Sequence, residues 1–126
     1  MAERGEIYKC ELCGNLVVCM HGGKGALVCC DQDMVLLEVN TVDAALEKHV
    51  PVVNVDGCRV DVQVGSTPHP MENDHYIEWI CLHTENDEVY TKFLKPGDAP
   101  EATFTTDSLV AFAQAYCNQH GLWKSK

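Results

Sequence analysis

Near the carboxyl end of the sequence, Cys117 and His120 lie three residues apart in the segment YCNQHGLW. A thiol and an imidazole at this spacing suit a nucleophile with its general base, two ligands of one metal ion, or two unrelated core residues. The histidines elsewhere in the chain help to decide between these uses. Three of them, each beside a turn residue or a strand end, are His49, His69 and His75.

Metal binding accounts for these residues better than nucleophilic catalysis does. A catalytic Cys–His pair needs one imidazole, and no third group is placed to orient it. Zinc is usually satisfied by four ligands, whereas iron accepts five and leaves a sixth position open. His83 is excluded, because eight strand residues separate it from His75 by roughly 26 Å, and it is expected at the surface. The sequence therefore predicts a reactive iron site with the ligands His49, His69, His75, Cys117 and His120.

A group of cysteines near the start of the chain predicts another metal site. Cys10 and Cys13 form a Cys-x-x-Cys-Gly knuckle, in which both thiolates and nearby backbone N–H groups face one cation. The pair Cys29 and Cys30 is expected opposite the knuckle, which makes a four-thiolate site suited to zinc or to a single iron. Adjacent cysteines cannot form a second knuckle, so we expect a site distorted from the symmetric zinc ribbon. The spacing alone does not choose between the two metals.

Composition narrows the class of protein. The chain has 126 residues and a formal net charge of −10, which disfavours binding to nucleic acid or to an anionic membrane. No apolar run suits a signal peptide or a membrane span, so a cytoplasmic location is expected. Thiols stay reduced there, and the 8 cysteines are expected to be metal ligands before disulfides. The cysteines that are not predicted as ligands are expected to fill small apolar spaces; they are Cys19, Cys58 and Cys81.

The elements that must position these residues divide into two lobes. Cysteines crowd the beginning of the chain and histidines its later part, so we predict domains at residues 1–38 and 39–126. The second domain is predicted to be an antiparallel β-sandwich of short strands. The segments VPVVNV and CRVDVQV flank a predicted hairpin turn at Asp56-Gly57.

The remaining segments of the second domain predict different types of element. Alternation in HYIEWICLH predicts a strand with Ile77, Trp79 and Cys81 on one face and Ile80 on the other. The segment SLVAFAQAYC suits either a helix or a strand, and DAALEKH suits a helical turn.

Resemblance to a known family is found in the segments EKHVP, PHPMENDHYIEW, FLKPGDAPEA and YCNQHGLW, which are similar to the iron-binding segments of superoxide reductases. Together with CELCGN and CC, they resemble the two-iron class called desulfoferrodoxins. The resemblance implies a mainly β protein. A small N-terminal desulforedoxin-like lobe would be followed by an immunoglobulin-like antiparallel β-sandwich, with a strand leading to Cys117. It also implies a homodimer, superoxide as the substrate, and a rubredoxin-like electron donor.

The resemblance also implies roles for individual residues. The four histidines would surround the catalytic iron in a plane, with Cys117 as the axial ligand. The first iron would form an FeS4 centre with Cys10, Cys13, Cys29 and Cys30. Glu47 and Lys48 match a mobile pair beside the open position, where the glutamate binds the oxidised iron at rest. One departure is Ala115, where relatives often carry a glutamate; it concerns only fine tuning around the thiolate.

Two other classes of function stay open from the sequence. One is a non-catalytic electron carrier in which both irons are redox-active and neither accepts a substrate. The other is a binding module whose small lobe is stabilised by a structural zinc ion. Metal analysis separates the zinc module from the iron proteins. The yield of hydrogen peroxide from superoxide separates the enzyme from the carrier.

Overall fold

The chain is described here by a computed structural model, which covers residues 2–126. Two compact units are present, one that ends at Glu38 and one that spans Val39–Lys126. Nearly all of the regular structure is β-strand in antiparallel sheets, which confirms the predicted mainly β fold.

Short strands make up the first unit. They are β1 (Ile7–Lys9), β2 (Leu16–Val18), β3 (Val28–Cys29), β4 (Gln32–Asp33) and β5 (Val35–Leu36). A three-stranded sheet has the order β2-β1-β5, and β3 and β4 form a separate hairpin. Among residues 2–38, the buried apolar side chains are Ile7, Cys10 and Cys19. So small a core supplies little stabilisation, and a unit of this size needs a further link such as a metal centre.

The second unit is a sandwich of two antiparallel sheets. Its elements are α1 (Leu46–His49), β6 (Pro51–Asp56), β7 (Arg59–Val64), β8 (Ile77–Thr84), β9 (Val89–Phe93), β10 (Glu101–Thr105), β11 (Val110–Cys117) and β12 (Gly121–Lys124). One sheet has the order β10-β7-β6 and the other the order β12-β11-β8-β9. The core lies between the sheets, where Val60 and Val62 of β7 pack with Ile80, Leu82 and Ala113. Seven strands in two sheets match the immunoglobulin-like arrangement.

The predicted hairpin between β6 and β7 is present, but its turn is one residue later than expected. Asp56 pairs with Arg59, so the two-residue loop is Gly57-Cys58. Gly57 has φ +63°, the left-handed conformation that glycine tolerates at the first position of a II′ turn. Because this turn needs only one residue with positive φ, Asp56 stays in the strand. Cys58 is therefore exposed in the turn, and the expected burial of this thiol is wrong.

A β-bulge near the start of β8 breaks the predicted alternation. Tyr116 pairs with Trp79, but Cys117 pairs with Ile77, so Glu78 is the extra residue. The bulge shifts the faces of the strand by one position. Ile77 consequently lies in the same core cluster as Ile80, and the expected common face of Ile77, Trp79 and Cys81 is wrong.

The two ambiguous segments are resolved by the structure. The segment that contains Val110–Cys117 is a strand, as the family resemblance implied, and the predicted helical turn is α1. Within residues 2–126, α1 is four residues long and no helix is long and apolar enough to cross a membrane.

Two candidate metal centres

One end of the sandwich brings together all five residues that the sequence predicted as ligands of a reactive iron. One ligand atom from each residue lies within 4.8 Å of all the others, in the group His49, His69, His75, Cys117 and His120. His49 is the last residue of α1, and Cys117 is the last residue of β11. His69 and His75 both lie in the loop between β7 and β8, and His120 lies in the loop between β11 and β12.

Close contact between α1 and the loop after β7 brings His49 next to His69. The N–H of Thr67 donates to the carbonyl oxygen of Glu47 at 2.9 Å. A Cβ atom at Gly65 would lie 2.6 Å from that same oxygen. A glycine is therefore required at this position for the helix and the loop to approach.

The four imidazole rings form a closed circuit. Consecutive ring centroids are 4.6 Å apart for His49–His69, 4.8 Å for His69–His75, 5.0 Å for His75–His120 and 4.9 Å for His120–His49. Each ring is nearly perpendicular to the next, with interplanar angles of 77–83°. His49 and His75 therefore stand on opposite sides of the circuit. Four rings at the corners of a square suit a metal ion with four equatorial nitrogen ligands.

The hydrogen bonds of His49 and His69 determine which ring nitrogens face the circuit. Nδ1 of His49 lies 2.7 Å from the carbonyl oxygen of Ala45, and Nδ1 of His69 lies 2.6 Å from that of Pro70. A carbonyl oxygen only accepts, so each Nδ1 carries the proton and each Nε2 has a free lone pair. Burial lowers the pKa of His49 and lowers the pKa of His69 to about 4. Both rings are therefore neutral at pH 7.

The positions of the ring nitrogens are suited to binding a cation. The two Nε2 atoms of His49 and His69 are 3.2 Å apart without a proton to share. His49 Nε2 is also 3.1 Å from His120 Nδ1, and the buried Nε2 of His75 has no hydrogen-bond partner. Cis nitrogen ligands bound at about 2.1 Å would be about 3.0 Å apart. The nitrogens are thus spaced as ligands of one metal ion.

Cys117 supplies the sulfur of the group. The side chain is buried, and its Sγ lies 3.9 Å from His120 Nδ1. Burial raises the pKa of the Cys117 thiol. A bound cation offsets that effect, because metals bind the thiolate form. His49 and His69 are also buried, whereas His75 and His120 are half-buried. The group therefore reaches solvent on the side of these two rings.

The four cysteines of the first unit form the other group. One sulfur from each of Cys10, Cys13, Cys29 and Cys30 lies within 4.8 Å of the others. The sulfurs are 3.5 Å apart for Cys13–Cys29 and 3.9 Å apart for Cys29–Cys30. Tetrahedral thiolates at about 2.3 Å from one ion would be about 3.8 Å apart. The observed spacings bracket that value.

Backbone conformation explains how two adjacent cysteines face one point. Cys30 has φ +54° and Asp31 has φ +61°, both in the left-handed region. The first half of the site is a regular knuckle, in which the N–H of Cys13 meets the sulfur of Cys10 at 3.5 Å. That backbone hydrogen bond lowers the pKa of Cys10 to about 6, whereas the thiol of Cys13 raises the pKa of Cys30 to about 12. The knuckle and the adjacent cysteine pair therefore differ in backbone conformation and in thiol pKa, as expected for a distorted site.

Glu47 and Lys48 lie in α1, immediately before His49. Both side chains are exposed, and neither belongs to the five-residue group. That they lie at the rim of the candidate site stays a prediction from the family resemblance. Cys81 is buried outside both groups, with its sulfur 3.4 Å from His83 Nε2. His83 lies outside the five-residue group, as predicted, and it is half-buried and stacked on Phe112 rather than fully exposed.

The sequence reasoning did not identify the groups that hold the ligands in place. The carbonyl oxygens of Ala45 and Pro70 give no signal in a sequence, because every residue carries one. Trp123 could have been noticed in the sequence, because it follows His120 closely in the same segment. Its buried ring packs on His49, with the ring centroids 4.9 Å apart.

Comparisons with known proteins find similar proteins over the whole chain. The family model for desulfoferrodoxin matches residues 41–126, and the model for the desulfoferrodoxin N-terminal domain matches residues 2–37. A desulfoferrodoxin of Desulfarculus baarsii is 55% identical over 127 residues, which cover 100% of this chain and 99% of that protein. A superoxide reductase of Pyrococcus horikoshii is 36% identical, over 64% of this chain and 85% of its own. The crystal structure of the superoxide reductase from Treponema pallidum matches with a TM-score of 0.78 and 40% identity, over 96% of this chain and 98% of that one.

Proposed function

The chain belongs to the desulfoferrodoxin family, and from that premise we propose how its side chains act in a superoxide reductase. The protein is an oxidoreductase that reduces superoxide to hydrogen peroxide with one electron and two protons, without releasing oxygen. The observation that carries the assignment is the closed circuit of four imidazoles with the buried Cys117 sulfur beside it.

The catalytic iron would be held by Nε2 of His49, His69 and His75, by Nδ1 of His120 and by the thiolate of Cys117. Iron bound there supplies the electron for superoxide, and its positive charge attracts the anion. Imidazoles bind metal ions in their neutral form, so Cys117 would be the one ligand that carries charge. Its thiolate would donate electron density toward a bound metal, and this donation would favour reduction of the substrate.

Lys48 guides superoxide to the site and holds a proton source beside it. The chain has a formal net charge of −10, which opposes the approach of an anion. Opposing charges farther away than about 8 Å are largely screened at physiological salt, so a cation next to His49 outweighs distant carboxylates. The exposed Nζ of Lys48 would also orient a water that protonates the reduced substrate.

Glu47 acts after the product leaves. Its carboxylate is exposed beside His49 and is free of the five-residue group. An anionic oxygen is a suitable further ligand for the oxidised, more highly charged state of the site. Glu47 therefore protects that state until an electron arrives.

The four-cysteine centre holds a second iron, ligated by Cys10, Cys13, Cys29 and Cys30, and stores or relays an electron. Cys13 and Cys30 are exposed, so this centre has an edge that an electron donor can approach. The donor is a rubredoxin-like protein, the active form is a homodimer, and the location is the cytoplasm. These three proposals rest on the family resemblance and on the many reduced cysteines.

One experiment tests the function directly. The iron-loaded protein is reduced without air, mixed with superoxide, and assayed for hydrogen peroxide and oxygen. One peroxide for each superoxide consumed, with no oxygen, is the expected result. Oxygen release would identify a dismutase, and an absence of peroxide would leave an electron carrier. Metal analysis of the same sample must give iron, because zinc at both sites would contradict the proposal.

A further inference from the structure

Asn118 lies between Cys117 and His120 in the sequence, but its side chain contacts the segment around His75. We propose that Asn118 is a positioning residue, which holds the His75 ring in the imidazole circuit by binding the backbone on both sides of that histidine. The inference rests on the proposed role of His75 as a ligand. It adds a residue that does not belong to the five-residue ligand group.

Three hydrogen bonds join Asn118 to the neighbours of His75. The backbone N–H of Tyr76 donates to Oδ1 of Asn118 at 2.9 Å, and Nδ2 of Asn118 donates to the carbonyl oxygen of Asp74 at 3.0 Å. The backbone N–H of Asn118 also donates to the carbonyl oxygen of Tyr76 at 3.2 Å. The two ends of the amide meet a donor and an acceptor, so only one orientation of the amide fits.

The clamp lies directly beyond the β-bulge, where the regular pairing of β8 and β11 ends. After Cys117 pairs with Ile77, the strands β8 and β11 end, and the backbone before Ile77 leaves the sheet. Asn118 continues the pairing by one step, because its backbone and side chain together satisfy both the N–H and the C=O of Tyr76. The segment that carries His75 is thereby tied to the same turn that carries the Cys117 and His120 ligands.

The backbone of His75 also pairs with that of Glu72 in both directions, at 2.9 and 3.1 Å, and Asn118 adds bonds to the residues on either side of His75. The ring of His75 stands opposite that of His49, next to those of His69 and His120, and its buried Nε2 has no hydrogen-bond partner. Rings of His49 and His69 are held through their own Nδ1 atoms, whereas the backbone flanking His75 is held by Asn118. Groups that orient metal ligands typically contribute 10–100-fold to metal affinity.

The test uses full-length protein with the Cys13→Ser change, so that the first centre does not contribute iron or absorption. Asn118→Ala is expected to lose iron to a chelator about 10–100-fold faster than the parent. Its absorption band from the Cys117 thiolate to iron is expected to shift, because the ligand opposite His49 is loosened. Iron retention and a band equal to those of the parent would overturn the proposal.

Gln119→Ala is the matched control. Gln119 also donates to the carbonyl oxygen of Asp74, but it does not bind Tyr76. This variant is expected to retain iron like the parent, and a loss as large as that of Asn118→Ala would contradict a specific role for Asn118. If Asn118→Ala does not fold, Asn118→Asp replaces it. The aspartate keeps the bond from Tyr76 and removes the donor to Asp74, so faster iron loss is expected and unchanged retention contradicts the two-sided clamp.

A double-mutant cycle with His75→Ala separates positioning from general destabilisation. If Asn118 acts through His75, Asn118→Ala adds no further iron loss once the ring is absent. An equal additional loss in the His75→Ala background would mean that Asn118 acts elsewhere and would overturn the inference. The same cycle tests the proposed ligand set, since His75→Ala alone must weaken iron binding. Failure of that single change refutes the ligand assignment rather than the clamp alone.

Discussion

The indole N–H of Trp123 donates to the carbonyl oxygen of His120 at 3.0 Å, while the same ring lies 4.9 Å from the ring of His49. Trp123 is completely buried. One side chain therefore supports two neighbouring members of the imidazole circuit, one through the backbone and one through ring packing.

Trp123→Phe is expected to destabilise the iron-loaded protein by about 1–3 kcal/mol, because it removes this hydrogen bond and part of a buried ring. Unfolding by urea measures the change. Trp79→Phe is the matched control, since Trp79 is half-buried and stacks on Tyr116 outside the circuit. An effect of Trp123→Phe no larger than that of the control would show that the contact with the ligands is unimportant.

Lys48→Met should slow the second-order reaction with superoxide roughly tenfold, because the cation at the rim is lost while the side chain keeps its length. Pulse radiolysis measures the rate. The dependence of the rate on ionic strength should also become weaker. Lys92→Met on the edge strand β9 is the control and should react like the parent. Equal rates for the two variants would remove Lys48 from the mechanism.

Glu47→Ala is expected to change the absorption spectrum of the oxidised protein and to leave that of the reduced protein unaltered. The reason is that the carboxylate binds only the more highly charged state. Glu72→Ala, in the loop that leads to His75, serves as a carboxylate control. An oxidised spectrum that stays the same in Glu47→Ala would discard the role of this residue.

Cys13→Ser is expected to abolish the absorption of the four-thiolate centre, because one of four ligands is replaced by a weaker one. The reaction of the reduced protein with superoxide should remain measurable, since the five-residue group lies in the other unit. Loss of the superoxide reaction in a folded variant would mean that the first centre is required for catalysis. Cys58→Ser, at the exposed turn thiol, should change neither property.

Metal binding to the four-cysteine centre should weaken as the pH falls, with a steeper dependence below about pH 6. At neutral pH the apo form has Cys10 largely ionised, because its pKa is lowered to about 6, whereas the pKa of Cys30 is raised to about 12. Metal uptake thus displaces the proton of Cys30 throughout this range, and below about pH 6 it must displace that of Cys10 as well. Anaerobic metal titration of the apoprotein at several pH values measures how the affinity changes with pH. A dependence that does not become steeper below about pH 6 would contradict the lowered pKa of Cys10.

Much of the site follows from local features of the sequence. Ligand identity is a property of residue type, and the knuckle at Cys10 and Cys13 needs only a few neighbouring residues to form. Family resemblance adds the two irons, the strand that leads to Cys117 and the candidate rim residues Glu47 and Lys48. The mainly β fold follows from short strand segments separated by turns, and the hairpin at Gly57 is wrong by only one residue.

Tertiary structure alone decided how the ligands meet. The order of the rings around the circuit depends on loops far apart in sequence, and the free nitrogens of His49 and His69 depend on backbone carbonyls that no side-chain pattern marks. One extra residue, Glu78, changes the face of Ile77 relative to the rest of β8 and puts Ile77 into the core. A residue's type determines what it can bind, but its direction depends on the hydrogen-bond register between strands, and that register is set only when both strands are in place.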